Sequence, residues 1–306
     1  MKKKISTLLL SFVMALTMVP NLAFADTPAI TSAPNTGHTH SYDENGLCTS
    51  CGDYNGNHTN WIAWGDDDAE KSTLPKATGN YYLVDKIEIH TADDDKSVNV
   101  KINAPIHLDL NGQTIDFNIT SYGCWNLYLV SDELYIYDSS TDKTGLITYT
   151  GENKGHRALG IIDNGELYMY GGTISNFSGP DHGSAICVDG KNSKFNMYGG
   201  TITDCSSTKN GGAVGIGSDT AIFNMYGGTI KNCSSKDGGA VCIKESIDNA
   251  AFNMYGGTIT KCTSSNNGGG VCINTGNFTM EGGIITDNTA AQKGNGVYNN
   301  ANSTTI

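Results

Sequence analysis

The chain has 306 residues, with 38 Gly, only 6 Pro, 16% charged residues and a formal net charge of −12. Scarce Pro and glycine without a G-X-Y period exclude collagen, and few stretches combine Ala, Glu, Lys and Leu, which excludes a coiled coil. One arginine in the chain, Arg157, and the acidic balance argue against a nucleic-acid partner, whose phosphates need basic groups.

Residues 1–25 read as a signal peptide. Lys2, Lys3 and Lys4 open it, an apolar run from Leu8 to Val19 follows, and Ala23-Phe24-Ala25 forms a small-x-small cleavage site. The run is too short to span a bilayer comfortably. The mature chain is expected to begin at Asp26 and to be exported, extracellular or at the cell surface. Losing three lysines and no acid brings its charge to about −15. No later segment reads as transmembrane.

Residues 26–60 read as a linker that carries HTHSYDENGLCTSCGDYNGNH from His38 to His58. Cys48-x-x-Cys51-Gly52 has the form of half a zinc knuckle, two thiolates on a tight turn with glycine letting the backbone bend beneath sulfur. A tetrahedral ion needs two more ligands, and His40 and His58 flank the pair, with His38 as a substitute. A Cys48–Cys51 disulfide or free thiols is the alternative. Zinc here would fold a segment too small for a core.

Between Trp61 and Thr150 the segments TGNYYLVDKIEI, SVNVKI, IHLDLNGQTIDFNI and ELYIYDSS read as short strands separated by turns. They are expected to form irregular first coils and a cap, because an uncapped first coil exposes a sheet edge.

From residue 151 to 306 one phrase recurs. LYMYGGTIS begins at Leu167, FNMYGGTIT at Phe195, FNMYGGTIK at Phe223, FNMYGGTIT at Phe252 and FTMEGGIIT at Phe278. Met169, Met197, Met225, Met254 and Met280 are spaced by 28, 28, 29 and 26 residues. A second phrase fills each interval: GSAICV at Gly183, GGAVGI at Gly211, GGAVCI at Gly238, GGGVCI at Gly268 and GNGVYN at Gly294. Alternation in FNMY puts Phe and Met on one face of a strand and Asn and Tyr on the other. Gly-Gly ends that strand, TIT makes a second and GGAVCI a third. Three short strands per period without helical spacing predict an all-β fold, a right-handed parallel β-helix with coils about 4.8 Å apart. The expected inward ladders are Phe195-Phe223-Phe252-Phe278, the methionines, and Ile174-Ile202-Ile230-Ile259. The last coil, near Val297-Tyr298, carries no evident cap, so the chain is expected to continue or to be a fragment.

The GGTI and GGAV phrases, with LPKATGNYYLVDKIEI from Leu74 and IHLDLNGQTID from Ile106, resemble right-handed parallel β-helix surface proteins of anaerobic gut bacteria. They are also similar to the GGA repeats of autotransported adhesins. The likeness covers about Leu74 to Asn300 and includes the pectate-lyase-like fold. It implies a surface or adhesion role, with an extracellular glycan or a host or bacterial surface component as partner. The alternative it leaves is a secreted polysaccharide lyase or glycoside hydrolase.

Four residue sets are candidates for chemistry. Cys205, Cys233 and Cys262 share one repeat position, and Cys187, Cys242 and Cys272 another; Cys124 lies earlier. They read as small buried hydrophobes, with disulfides as the alternative in an exported chain. The anaerobic habitat implied by the resemblance would remove the oxidant. Asp163, Asp181, Asp189, Asp204, Asp237 and Asp287 could face solvent, yet the Asp204 position reads Asn232, Lys261 and Asp287 in later coils, a drift unlike a paired catalytic set. His156-Arg157 and Asp181-His182 depart from the repeat and read as turns. No catalytic residue is assigned. The outward Tyr170, Tyr198, Tyr226 and Tyr255 form the candidate ligand-binding surface, since stacked rings suit sugar faces. They could equally be stacking contacts between coils.

Overall fold

The computed structural model describes residues 40–90, 100–119, 126–152, 155–300 and 304–305. The expected leader, His38 and Cys124 lie outside them. The described chain is all-β apart from a single turn of 3-10 helix at Glu70–Ser72.

The strands fall into four sheets, and within each sheet all neighbours run parallel. The first sheet has ten strands, from Ile62–Trp64 through Glu133–Tyr137, Glu166–Met169, Lys194–Met197, Ile222–Met225 and Ala251–Met254 to Asn277–Met280 and Thr304–Thr305. The second and third sheets have eight strands each, spanning Ile87–His90 to Ile284–Thr286 and Val100–Ile102 to Val297–Asn299. The chain visits the first, second and third sheets in turn and returns to the first, which is a parallel β-solenoid. From Ser178 onward a two-residue strand is added between the second and third sheets, making a fourth sheet of five such strands. The expected three-strand coil therefore gains a short fourth side in the later coils.

The inward ladders lie where the repeat places them. Phe195 pairs with Phe223, Phe223 with Phe252, and Phe252 with Phe278. Their rings stack 4.7, 4.8 and 5.2 Å apart. Met169, Met197, Met225 and Met254 and the Ile174-Ile202-Ile230-Ile259 ladder are wholly buried. This continuous apolar column is the main source of stability, because each coil buries its core only against its neighbours.

Backbone demands explain two further features. The second glycine of each YGG has positive φ, +80° at Gly200 and +81° at Gly228, and a Cβ there would lie 2.6 Å from the methionine Cε of the previous coil. Glycine therefore supplies both the left-handed turn and the space into which methionine packs. The residue after each TIx strand is also left-handed: Asn176, Asp204, Asn232, Lys261 and Asp287, at φ from +53° to +65°. Asn and Asp tolerate that conformation best. The drift at this position is thus a conformational preference rather than lost chemistry.

The first coils, unreadable as repeats, join the same sheets in register. Ile106 pairs with Leu134, and Leu134 with Leu167. Their core differs in composition, with Leu83, Ile87, Leu108, Ile115 and Phe117 replacing the later Phe/Met alternation.

Candidate functional site

The outward face of the first sheet carries two aromatic stripes. In one, Tyr137, Tyr170, Tyr198, Tyr226 and Tyr255 stack at successive centroid distances of 5.1, 4.8, 4.7 and 5.0 Å, with interplanar angles of 16° or less. Register pairing places them one above another, each following a buried residue of the same ladder, Ile136 in the first case and methionine in the others. Beside it, His107, Tyr135 and Tyr168 stack at 4.1 and 4.5 Å. That second stripe continues as an amide ladder, Asn224 Nδ2 donating to Asn196 Oδ1 at 2.9 Å and Asn253 Nδ2 to Asn224 Oδ1 at 3.0 Å.

The four expected tyrosines are therefore brought together, but they are not equally open. The Tyr170 hydroxyl donates to the Cys51 carbonyl at 2.5 Å, and burial pushes its pKa well above the phenol range. Tyr198 and Tyr226 are half-buried, while Tyr255 is 40% exposed. Burial raises the Tyr198 hydroxyl to about 12, so that ring is a neutral hydrogen-bond donor at ordinary pH. Tyr137 belongs to the same stripe and was missed in the sequence. ELYIY at Glu133 differs from ELYMY at Glu166 by one residue, which is the signal that could have found it.

The segment from His40 to Asn60 lies on this face. It folds around isolated antiparallel bridges, Tyr42 with Cys48 and Leu47 with Tyr54. Asp43 Oδ1 accepts from the Asn45 and Leu47 amides, and the Gly52 amide donates to the Cys48 carbonyl at 2.8 Å, closing the Cys-x-x-Cys turn. Only Gly46 and Cys48 of residues 40–60 are buried, so the segment has no apolar core of its own. His40, Cys48 and Cys51 converge, with one ligand atom from each lying within 4.8 Å of the others. Cys51 Sγ is 3.6 Å from His40 Nδ1. A tetrahedral edge between bonds of about 2.3 Å to sulfur and about 2.0 Å to nitrogen is about 3.5 Å. These three residues could hold a metal ion. Asp53 borders the cluster, its Oδ2 also 3.6 Å from His40 Nδ1.

His58, expected as a fourth ligand, is not part of this cluster. Its Nε2 meets Asp109 Oδ2 at 2.7 Å, and its ring stacks on Tyr82 at 4.1 Å. Asp109 is wholly buried and its Oδ1 accepts the Asn111 and Ser139 amides, so the carboxylate is built into the solenoid and draws His58 to it. Trp61, also buried, donates from Nε1 to the Asn45 carbonyl at 2.7 Å. His58 and Trp61 thus anchor the base of the segment, while the Cys51-Gly52 turn rests on the tyrosines.

The other candidates serve the coil. The Cys205, Cys233 and Cys262 thiols are free and buried, and each donates to the carbonyl two residues before it, at 3.2, 3.1 and 3.4 Å. Asn288 takes the same position and turns its amide on Cys262 N and the Ile259 carbonyl. Cys242 and Cys272 pair in register, and burial lifts the Cys187 thiol to about 12. Asp181 is ion-paired to Lys209, Asp204 accepts from the Thr203 hydroxyl, and Asp237 accepts from Asn266 and the Asn267 amide. These carboxylates are engaged in turns of neighbouring coils.

Fold and surface together define a parallel β-solenoid with an aromatic strip on one sheet. No family model, no curated protein and no solved structure matches the chain. No helix among the described residues is long and apolar enough to cross a membrane.

Proposed function

We propose that the chain is an exported, surface-displayed β-solenoid that attaches to an extended extracellular glycan or a surface component through its tyrosine strip, without catalysis. The observation that carries this reading is the row of Tyr198, Tyr226 and Tyr255. Their rings are stacked in line 4.7 and 5.0 Å apart, and their hydroxyls make no hydrogen bond among the described residues. A flat row of that kind touches a long chain at several points, each contact weak and the sum useful. The test is a glycan array followed by affinity measurement on the best ligand. Tyr198→Ala with Tyr226→Ala is expected to weaken binding about tenfold, each ring contributing on the order of 0.7 kcal/mol. Retained affinity in a cooperatively folded double mutant would move binding off this face.

The same reading gives the His40-Cys48-Cys51 cluster a zinc ion, whose role is to fold a segment that has no core. Elemental analysis of the purified mature chain is expected to find about one zinc per molecule, lost in Cys51→Ser. A metal-free protein with Cys48 joined to Cys51 would overturn the assignment.

A further inference from the structure

The cluster and the strip touch, and that contact is the ground for a coupling between them. The two carbonyls that receive the tyrosine hydroxyls belong to the thiolate turn itself. Tyr170 Oη donates to Cys51 O at 2.5 Å and Tyr137 Oη to Gly52 O at 2.9 Å. Both contacts reach far across the sequence, over 119 and 85 residues, so the turn is brought there by tertiary docking. The base of the segment is fixed independently, by His58 on buried Asp109 and by buried Trp61.

We propose that metal binding at His40, Cys48 and Cys51 sets how much of the tyrosine strip is open. The inference rests on the reading of that strip as a binding face. With metal, the ion ties His40 to the two thiolates, holds the turn in shape and keeps its carbonyls on Tyr137 and Tyr170. The open strip then begins at Tyr198. Without metal, the turn has no apolar core to maintain it and lifts from the sheet while His58 and Trp61 keep the base in place. The strip then gains one ring, Tyr170, while Tyr137 stays under Trp61 and Tyr54, and a longer run of a bound chain can be contacted. The partner class is unchanged and the length of the contact is what the metal regulates.

The experiment compares the zinc-loaded full mature chain with the same chain stripped by EDTA. Tyrosines are nitrated with tetranitromethane and the sites are mapped by peptide mass spectrometry. Tyr255, already exposed, and Tyr128, 4% exposed in the core, are internal references. Stripping is expected to raise nitration of Tyr170 several-fold, with Tyr137, which Trp61 and Tyr54 still cover, Tyr255 and Tyr128 unchanged. Cys48→Ser is expected to behave as the stripped protein whether or not zinc is added. Equal protection of Tyr170 with and without metal overturns the coupling. A rise at Tyr128 as well overturns it too, because the metal would then support the solenoid and not the turn. Neither result depends on a glycan, so the coupling and the binding reading fail separately: full affinity in the Tyr198→Ala, Tyr226→Ala protein would sink only the latter.

Discussion

Tyr137 has one hydroxyl proton, and the Gly52 carbonyl receives it at 2.9 Å. His107 Nδ1 lies 3.0 Å from the same oxygen, so it must carry a hydrogen and donate. That fixes the tautomer of a half-buried ring stacked on Tyr135. Burial drives the His107 pKa from its ordinary value down to about 4, with nearby Asp43 pulling weakly the other way. The folded value lies below the unfolded one, so the folded state binds the proton less well. Stability is then unaffected above about pH 6.5, falls as pH drops from there towards about 4, and levels off below. The loss by pH 4.5 is about 2 kcal/mol from this ring. Urea unfolding at pH 7 and 4.5 should show that His107→Asn loses less stability on acidification than the parent chain. Equal losses would mean the imidazole is not held neutral in the fold.

At the scale of strands, the unit is a register pair repeated from coil to coil. Met225 stands between Met197 and Met254 in a sheet whose inner face is closed to water. Met225→Asp would put a charge there with no partner, at a cost of about 4 kcal/mol or more, and thermal unfolding should register it as a large fall in midpoint. An unchanged midpoint would mean that Phe and Met do not point inward. This ladder was legible in the sequence because duplication preserves the alternation of FNMY, and the alternation alone settles which side faces in. The coils before Leu167 were not read as repeats, since Leu, Ile and Val fill the same inner volume with other shapes and only ELYIY at Glu133 keeps a phrase to match. The His40–Asn60 segment was legible as a cluster of thiols and imidazole, and wrong in its fourth member. His58 answers to Asp109, and a pairing across 51 residues leaves no mark in local spacing. For the same reason the cover over Tyr170 could not be read, although both partners had been singled out.

Across the described coils, each packs mainly against its neighbours, so the energetics are close to a sum of neighbouring interfaces, with the His40–Asn60 segment bridging several of them. The described first end is closed by Leu74, Trp64 and the strand Ile62–Trp64. In the last described coils Met280, Ile285 and Val297 are partly buried. The aromatic strip opens in the same direction, from Tyr170 beneath the Cys51 carbonyl to Tyr255 in solvent. The more open rings stand over fully packed coils, since Phe223 and Phe252 beneath Tyr226 and Tyr255 are wholly buried.

The hydrogen bonds that join coils, such as Tyr198 N to Met169 O and Tyr226 N to Met197 O, run along the axis of the stack. Tension applied between the two ends therefore loads one interface after another in series and peels coils singly. Each coil contributes about 4.8 Å of axial length while folded. A released period of 28 residues extends to about 95 Å, roughly twentyfold longer. A molecule tethered at one end and attached through its rings would lengthen in discrete steps under flow. The remaining rings would keep hold while each step relieved the load.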